Sequence, residues 1–275
     1  MKEKLFAFEN LKPSIQQVTL NVGALYPEEK QKKEFEKKFS EFLSSASVHS
    51  RIFEHTGDTI TYRTECIIPT MRDQRPPLLL VFGNPASHSV DSEMFFASEG
   101  SRREHRFWKI LSKADILSFS SIAKGSSVDE INGLRKKALY ELCYYSPFRI
   151  GLAVHYTMPS PASKSPWAGV EGLRRLFGRE ALTKIGHYEK SRIAQIIREF
   201  VSPNGTVIAF QKDAYLALKS STSPDYALDK AREGCLIGNC QCDPYVRLFC
   251  LPPTRLLQGK LGLLREFRER ILEGV

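Results

Sequence analysis

The sequence lacks any apolar run long enough to span a bilayer, so no membrane partner is expected. It lacks the G-x-G-x-x-G fingerprint and a Walker lysine, which removes the two familiar nucleotide-phosphate cradles. Its start, MKEKLFAFENLKPS, has no sustained apolar core and no small-residue cleavage site, so no signal peptide is read. A soluble, cytoplasmic protein is expected, nucleoid-associated if the source is prokaryotic, and monomeric. Cysteine is scarce, with six in 275 residues; inside a cell these are thiols or ligands rather than disulfides.

What is present is an ordinary globular composition, 42% apolar and 26% charged. The length suits one large domain or a domain with a lobe. Forty basic against 31 acidic residues give a net charge of +9. That balance fits a polyanionic partner such as DNA, or lysine-rich helix faces that are simply solvated.

Along the chain, EEKQKKEFEKKFSEFLSSA (28–46) reads as a helix, with Phe35, Phe39 and Phe42 as its apolar stripe. RIFEHTGDTITYRTECII reads as two strands around a Thr-Gly-Asp turn. From residue 78 onward strands and helices alternate. Buried strands are expected at 78–82, 150–156, 206–210 and 246–251, because these runs show no polar alternation. Helices are expected at 101–113, 128–145, 167–178 and 187–200, and near the C-terminus. Such alternation implies a mainly parallel sheet with helices on both faces.

The stretch LLLVFGNPASHSV (78–90) is the most informative. Five apolar residues run into Gly83, Asn84 and Pro85 and then a small, polar loop. Open α/β sheets place their chemistry at the carboxyl ends of such strands. Asn84 either acts there or merely turns the chain.

The segment FGNPASHSVDSEMFFASEGSRREHRFWKIL resembles the first motif region of the uracil-DNA glycosylase superfamily. It is nearest in style to the mismatch-specific uracil/thymine and single-strand-selective branches. Asn84-Pro85, Phe96-Ala97 and His105-Arg106-Phe107-Trp108 match that pattern, and LPPTRLLQG (251–259) stands where the family has its second motif. The resemblance covers roughly 78–275. Ala86 replaces the usual glycine, Pro252 stands where His or Asn is common, and His155 and Tyr156 hold the place of the family's base-reading asparagine.

The resemblance implies a three-layer α/β/α sandwich with a central, mainly parallel four-stranded sheet. Residues 76–275 would form this glycosylase-like domain, and 1–75 a helix and β-hairpin extension packing on it. It implies a DNA glycosylase that hydrolyses the N-glycosidic bond of a damaged or deaminated base flipped out of DNA, in base-excision repair, without a cofactor. Asn84 would position the attacking water. Phe96 would stack on the base or is a core aromatic. His155 and Tyr156 would read its edge or are structural. Ser160 and Thr254 would contact phosphates and Arg255 would fill the gap left by the flipped nucleotide, unless these are ordinary loop residues. Cys235, Cys240, Cys242 and Cys250 make C-x4-C-x-C-x7-C, a set that would suit a metal or consists of buried thiols; no metal is expected. The alternative function is a catalytically silent glycosylase-like module that only binds DNA.

Overall fold

A computed structural model of the chain describes residues 5–12, 15–97, 104–120, 126–161, 164–257 and 259–274. The chain divides into two compact units that interleave along the sequence. One joins the chain up to Cys66 with Asn84–Phe95 and Val154–Ser191. The other joins Ile67–Gly83, Phe96–Ala153 and everything from Arg192. Among the described residues no helix is long and apolar enough to cross a membrane.

The first unit carries a four-stranded antiparallel sheet. Its strands are β1 (Phe6–Lys12), β2 (Ile15–Asn21), β3 (Phe53–Thr56) and β4 (Thr59–Glu65), in the order β1-β2-β4-β3. The expected β3–β4 hairpin closes around Gly57 and Asp58, with Thr56 facing Thr59. Gly57 has φ +57°, which a two-residue hairpin loop needs and glycine takes without strain. β2 pairs with β4 in seven places, from Ile15↔Glu65 to Asn21↔Thr59. Val18, Leu20, Ile60 and Tyr62 thereby share the buried face. The helix Glu29–Ser44 packs Phe35, Phe39 and Phe42 into the same core, all at most 2% exposed. Their rings stack successively at 5.6 and 5.9 Å, and each buried phenylalanine contributes about 1.5–3 kcal/mol. The helices Gly169–Phe177 and Arg179–Ile196 add Leu173, Leu176, Leu182 and Ile185 to this core.

The second unit holds β5 (Pro77–Phe82), β6 (Arg149–Val154, whose last residue falls in the first unit), β7 (Thr206–Ala209), β8 (Ile237–Asn239) and β9 (Arg247–Cys250). Their order is β6-β5-β7-β9-β8. β5 runs parallel to β7 and β7 to β9, whereas β8 is antiparallel to β9. All four expected strands are neighbours, but the four-stranded sheet expected from the sequence is corrected to five. β8 is a three-residue edge strand lying within the cysteine-rich run, too short to show a periodicity. Gly238 makes it possible, because a Cβ there would come within 2.2 Å of Ser223 Oγ.

The expected helices form at Arg106–Lys113, Val128–Glu141 and Leu261–Glu273. Residues 101–103 of the first lie outside the described residues. Ser127 and Glu130 build a reciprocal capping box at the start of the second. The helix expected at 187–200 is the latter part of Arg179–Ile196, continued by a π-helical turn, Ile197–Val201.

Candidate active site

Asn84 follows directly on the buried run of β5. Its side-chain nitrogen donates to Ser160 Oγ at 2.9 Å and to the Met158 carbonyl at 3.2 Å. A carbonyl only accepts, so the amide's orientation is fixed: nitrogen inward, oxygen outward. Among the described residues Oδ1 of Asn84 accepts no hydrogen bond, and the residue is half-buried. The result is a held amide that offers an acceptor to a small polar molecule.

The loop is pinned along its length. Ser160 N donates to Pro85 O at 3.0 Å, and Ser87 N donates to Ser160 O at 2.8 Å. Ser160 Oγ also accepts from Gly169 N at 2.8 Å. Ser160 is 2% exposed, so its hydroxyl serves the loop rather than the surface where a phosphate would lie.

A second pin comes from His49, which is fully buried. Its Nδ1 lies 2.9 Å from the Phe42 carbonyl and must donate. Nε2 therefore accepts from Ser87 Oγ, also at 2.9 Å. The imidazole stacks on Phe42 at 4.5 Å, and burial lowers its pKa. Beyond Ser87, Arg51 clamps Asp91 through two hydrogen bonds of 3.0 and 2.6 Å, which hold that carboxyl below its usual range. A lone histidine in SASVHSRIF carries no sequence signal for this part.

β6 stops at Val154, so His155 and Tyr156 follow the strand rather than end it. They are 2% and 6% exposed, with rings 4.5 Å apart. Tyr156 belongs to the first unit's core, where a Cβ on Gly186 would stand 3.4 Å from its hydroxyl. Thr157 fixes the segment: its N and Oγ donate to Glu189 Oε1 at 2.7 and 2.5 Å. The Tyr62 hydroxyl then donates to Thr157 Oγ at 2.9 Å. Glu189 is fully buried, and in the sequence it is one polar residue of an amphipathic helix. Glu65, at the end of β4, is 2% exposed, and burial raises its carboxyl pKa well above the usual range.

Phe96, Thr254 and Arg255 belong to the second unit. Phe96 is half-buried and has φ +49°, uncommon for a bulky residue. Its ring lies 4.2 Å from Phe107, 4.9 Å from His105 and 5.0 Å from Phe82. Trp108 Nε1 donates to its carbonyl at 3.0 Å. It is thus an aromatic face held by other aromatics, whereas neighbouring Phe95 is 2% exposed. Thr254–Leu256 is a 3₁₀ turn with Arg255 exposed and Thr254 half-buried.

Among the described residues no three His, Cys, Asp or Glu side chains are grouped to hold a metal ion. Cys240 and Cys250 are buried, Cys242 half-buried and Cys235 exposed. A hydrogen bond from the Cys240 thiol lowers Cys242 to about 7 and raises Cys240 itself, while burial pushes Cys250 up to about 12. No protein-family model matches the chain, and no curated protein matches it closely enough to count as a relative.

Proposed function

We propose that the chain is a DNA glycosylase of the uracil-DNA glycosylase type, acting on a damaged or deaminated base flipped out of DNA. The observation that carries this reading is the locked Asn84 amide at the end of β5, with its oxygen available. A water donating to Oδ1 presents its oxygen lone pair to the sugar. The C1′–N bond breaks, the base leaves with the electron pair, and the water oxygen bonds C1′. The water's proton leaves with the base or to solvent, yielding an abasic site. The second unit carries, by itself, an aromatic face at Phe96 of the kind a base stacks on and, at Thr254 and Arg255, a turn of the kind that contacts a strand. The reading carries with it a three-layer α/β/α arrangement of the glycosylase domain, a monomer, and a cytoplasmic or nucleoid location.

A binding module without hydrolysis is favoured by one feature: the partners of the Asn84 amide are two carbonyls and a hydroxyl, none titratable. One assay separates the two. Labelled oligonucleotides carrying uracil, hypoxanthine, xanthine or mismatches are incubated with the protein and then cleaved at abasic sites. Base release from any of them supports the enzyme; DNA binding with no release from the whole panel supports the module.

A further inference from the structure

The amino ends of β5 and β6 gather arginines that the proposed site does not use. Arg72 and Arg75 precede β5, and Arg149 opens β6, its N donating to Pro76 O at 3.0 Å. Arg75 is fully engaged: Nε meets Asp73 at 2.6 Å, its other nitrogens reach Leu142 O and Tyr144 O, and its guanidinium lies 4.6 Å above the Tyr144 ring. Arg149 and Arg72 are not. Arg149 is 7% exposed, lies 5.2 Å over the Phe200 ring, and among the described residues its side chain donates one long bond, to Phe200 O at 3.3 Å. Among the described residues its Nε has no hydrogen-bond partner. Arg72 is exposed and reaches the adjacent carbonyl, Glu199 O, at 3.4 Å. Among the described residues neither has a carboxylate within ion-pair distance.

Two guanidinium groups converging on neighbouring carbonyls repel each other, and a buried cation without an anion is costly. Asp73, the nearest acid, is held by Arg75. The charge of Asp73 reaches Arg149 only through space, so among the described residues the arrangement leaves two cations without an oxyanion in direct contact. We propose that Arg72 and Arg149 form a phosphate-binding site at the amino ends of β5 and β6. Planar guanidinium groups match the oxygens of phosphate through paired hydrogen bonds, which a carbonyl cannot replace. The phosphate is either free or part of a polynucleotide backbone. The site lies away from the strands' carboxyl ends and is independent of the glycosylase reading.

The test is calorimetric titration of the full chain with inorganic phosphate at constant ionic strength, in a buffer free of other oxyanions. Saturable one-site binding is expected, weakened on the order of tenfold in Arg72→Gln, an exposed change that leaves the fold intact. Arg149→Lys keeps charge and stem but loses the planar fork; it should weaken binding several-fold without moving the melting temperature much. Absence of saturable binding, or equal affinity in the parent and Arg72→Gln, overturns the proposal. A short oligonucleotide then identifies the source. Displacement of phosphate by the oligonucleotide in the parent upholds the site as a backbone contact; phosphate binding that the oligonucleotide leaves untouched upholds it as a free-phosphate site.

Discussion

The Asn84 loop and the Thr254–Leu256 turn are both candidate site segments, yet they are held in opposite ways. Around Asn84, groups from three other stretches of chain converge: the His49 ring on Ser87, the Ser160 hydroxyl on the asparagine amide, and the Gly169 backbone N–H on Ser160. Among the described residues the 254–256 turn makes two backbone bonds, Leu256 N to Pro253 O and Leu257 N to Thr254 O, and leaves Arg255 in solvent. A group that aims a water must not move, because small misplacements cost rate. A group that follows a DNA strand gains from freedom. The difference in bracing matches the difference in the proposed work.

The strongest way to break the comparison is Asn84→Ala. Losing one preorganised polar contact made at the transition state should lower base release about 10²–10³-fold. DNA affinity should change little, since phosphate contacts dominate binding. Base release at the parent's rate would reduce Asn84 to a turn residue.

Ser87→Ala tests the brace itself. It leaves the buried Nε2 of His49 without its proton donor, which should cost about 1–3 kcal/mol in chemical denaturation. Base release should fall as well, because the Asn84 loop loses a pin. A variant as stable as the parent would show that the loop does not depend on His49.

How much of this was legible beforehand varies with the kind of force involved. The four buried strands were readable because runs such as Leu78–Phe82 admit little else. Phe35, Phe39 and Phe42 announced their helix by spacing. β8 was hidden, as three residues carry no period. β1 and β2 lie outside the alternating strand–helix region, and their alternation is weak: Gln16, Gln17 and Thr19 interrupt the buried Ile15, Val18 and Leu20. Within the site, Asn84 was legible from its place at a strand end. His49, Glu189 and Gly169 were not, because their roles depend on long-range contacts that no local pattern encodes. The Pro/Ser loop around Ser160 suggests exposure, whereas its hydroxyl is turned inward by Asn84 and Gly169.

Glu65 sharpens the comparison from the side of pH. Its folded-state pKa is raised by burial, so the folded protein holds a proton that the unfolded chain releases above the ordinary carboxyl range. Stability associated with Glu65 is therefore fully present below about pH 4.5 and is lost as pH rises through the folded-state value. Glu65→Gln keeps the shape and removes the titration. Unfolding free energies measured from pH 4 to 8 should show the parent losing ground to the variant as pH rises. Parallel curves would mean that Glu65 titrates alike in both states.

The smallest expected effect on the fold belongs to Arg255, and that is what makes it informative. It is exposed on its turn, so Arg255→Ala should move stability by no more than about 0.5 kcal/mol. If its charge meets a phosphate, the slope of log affinity against log salt should fall by about one. If it also fills the gap behind a flipped nucleotide, affinity should drop more for an oligonucleotide carrying an abasic site than for an intact duplex, because only the former leaves the space vacant. An unchanged salt slope would remove Arg255 from the DNA surface. A changed slope with equal losses on both oligonucleotides would leave it a phosphate contact and not a wedge. Set beside Asn84→Ala, the pattern distinguishes the two segments by what each loses: rate without affinity at the braced loop, affinity without stability at the free turn.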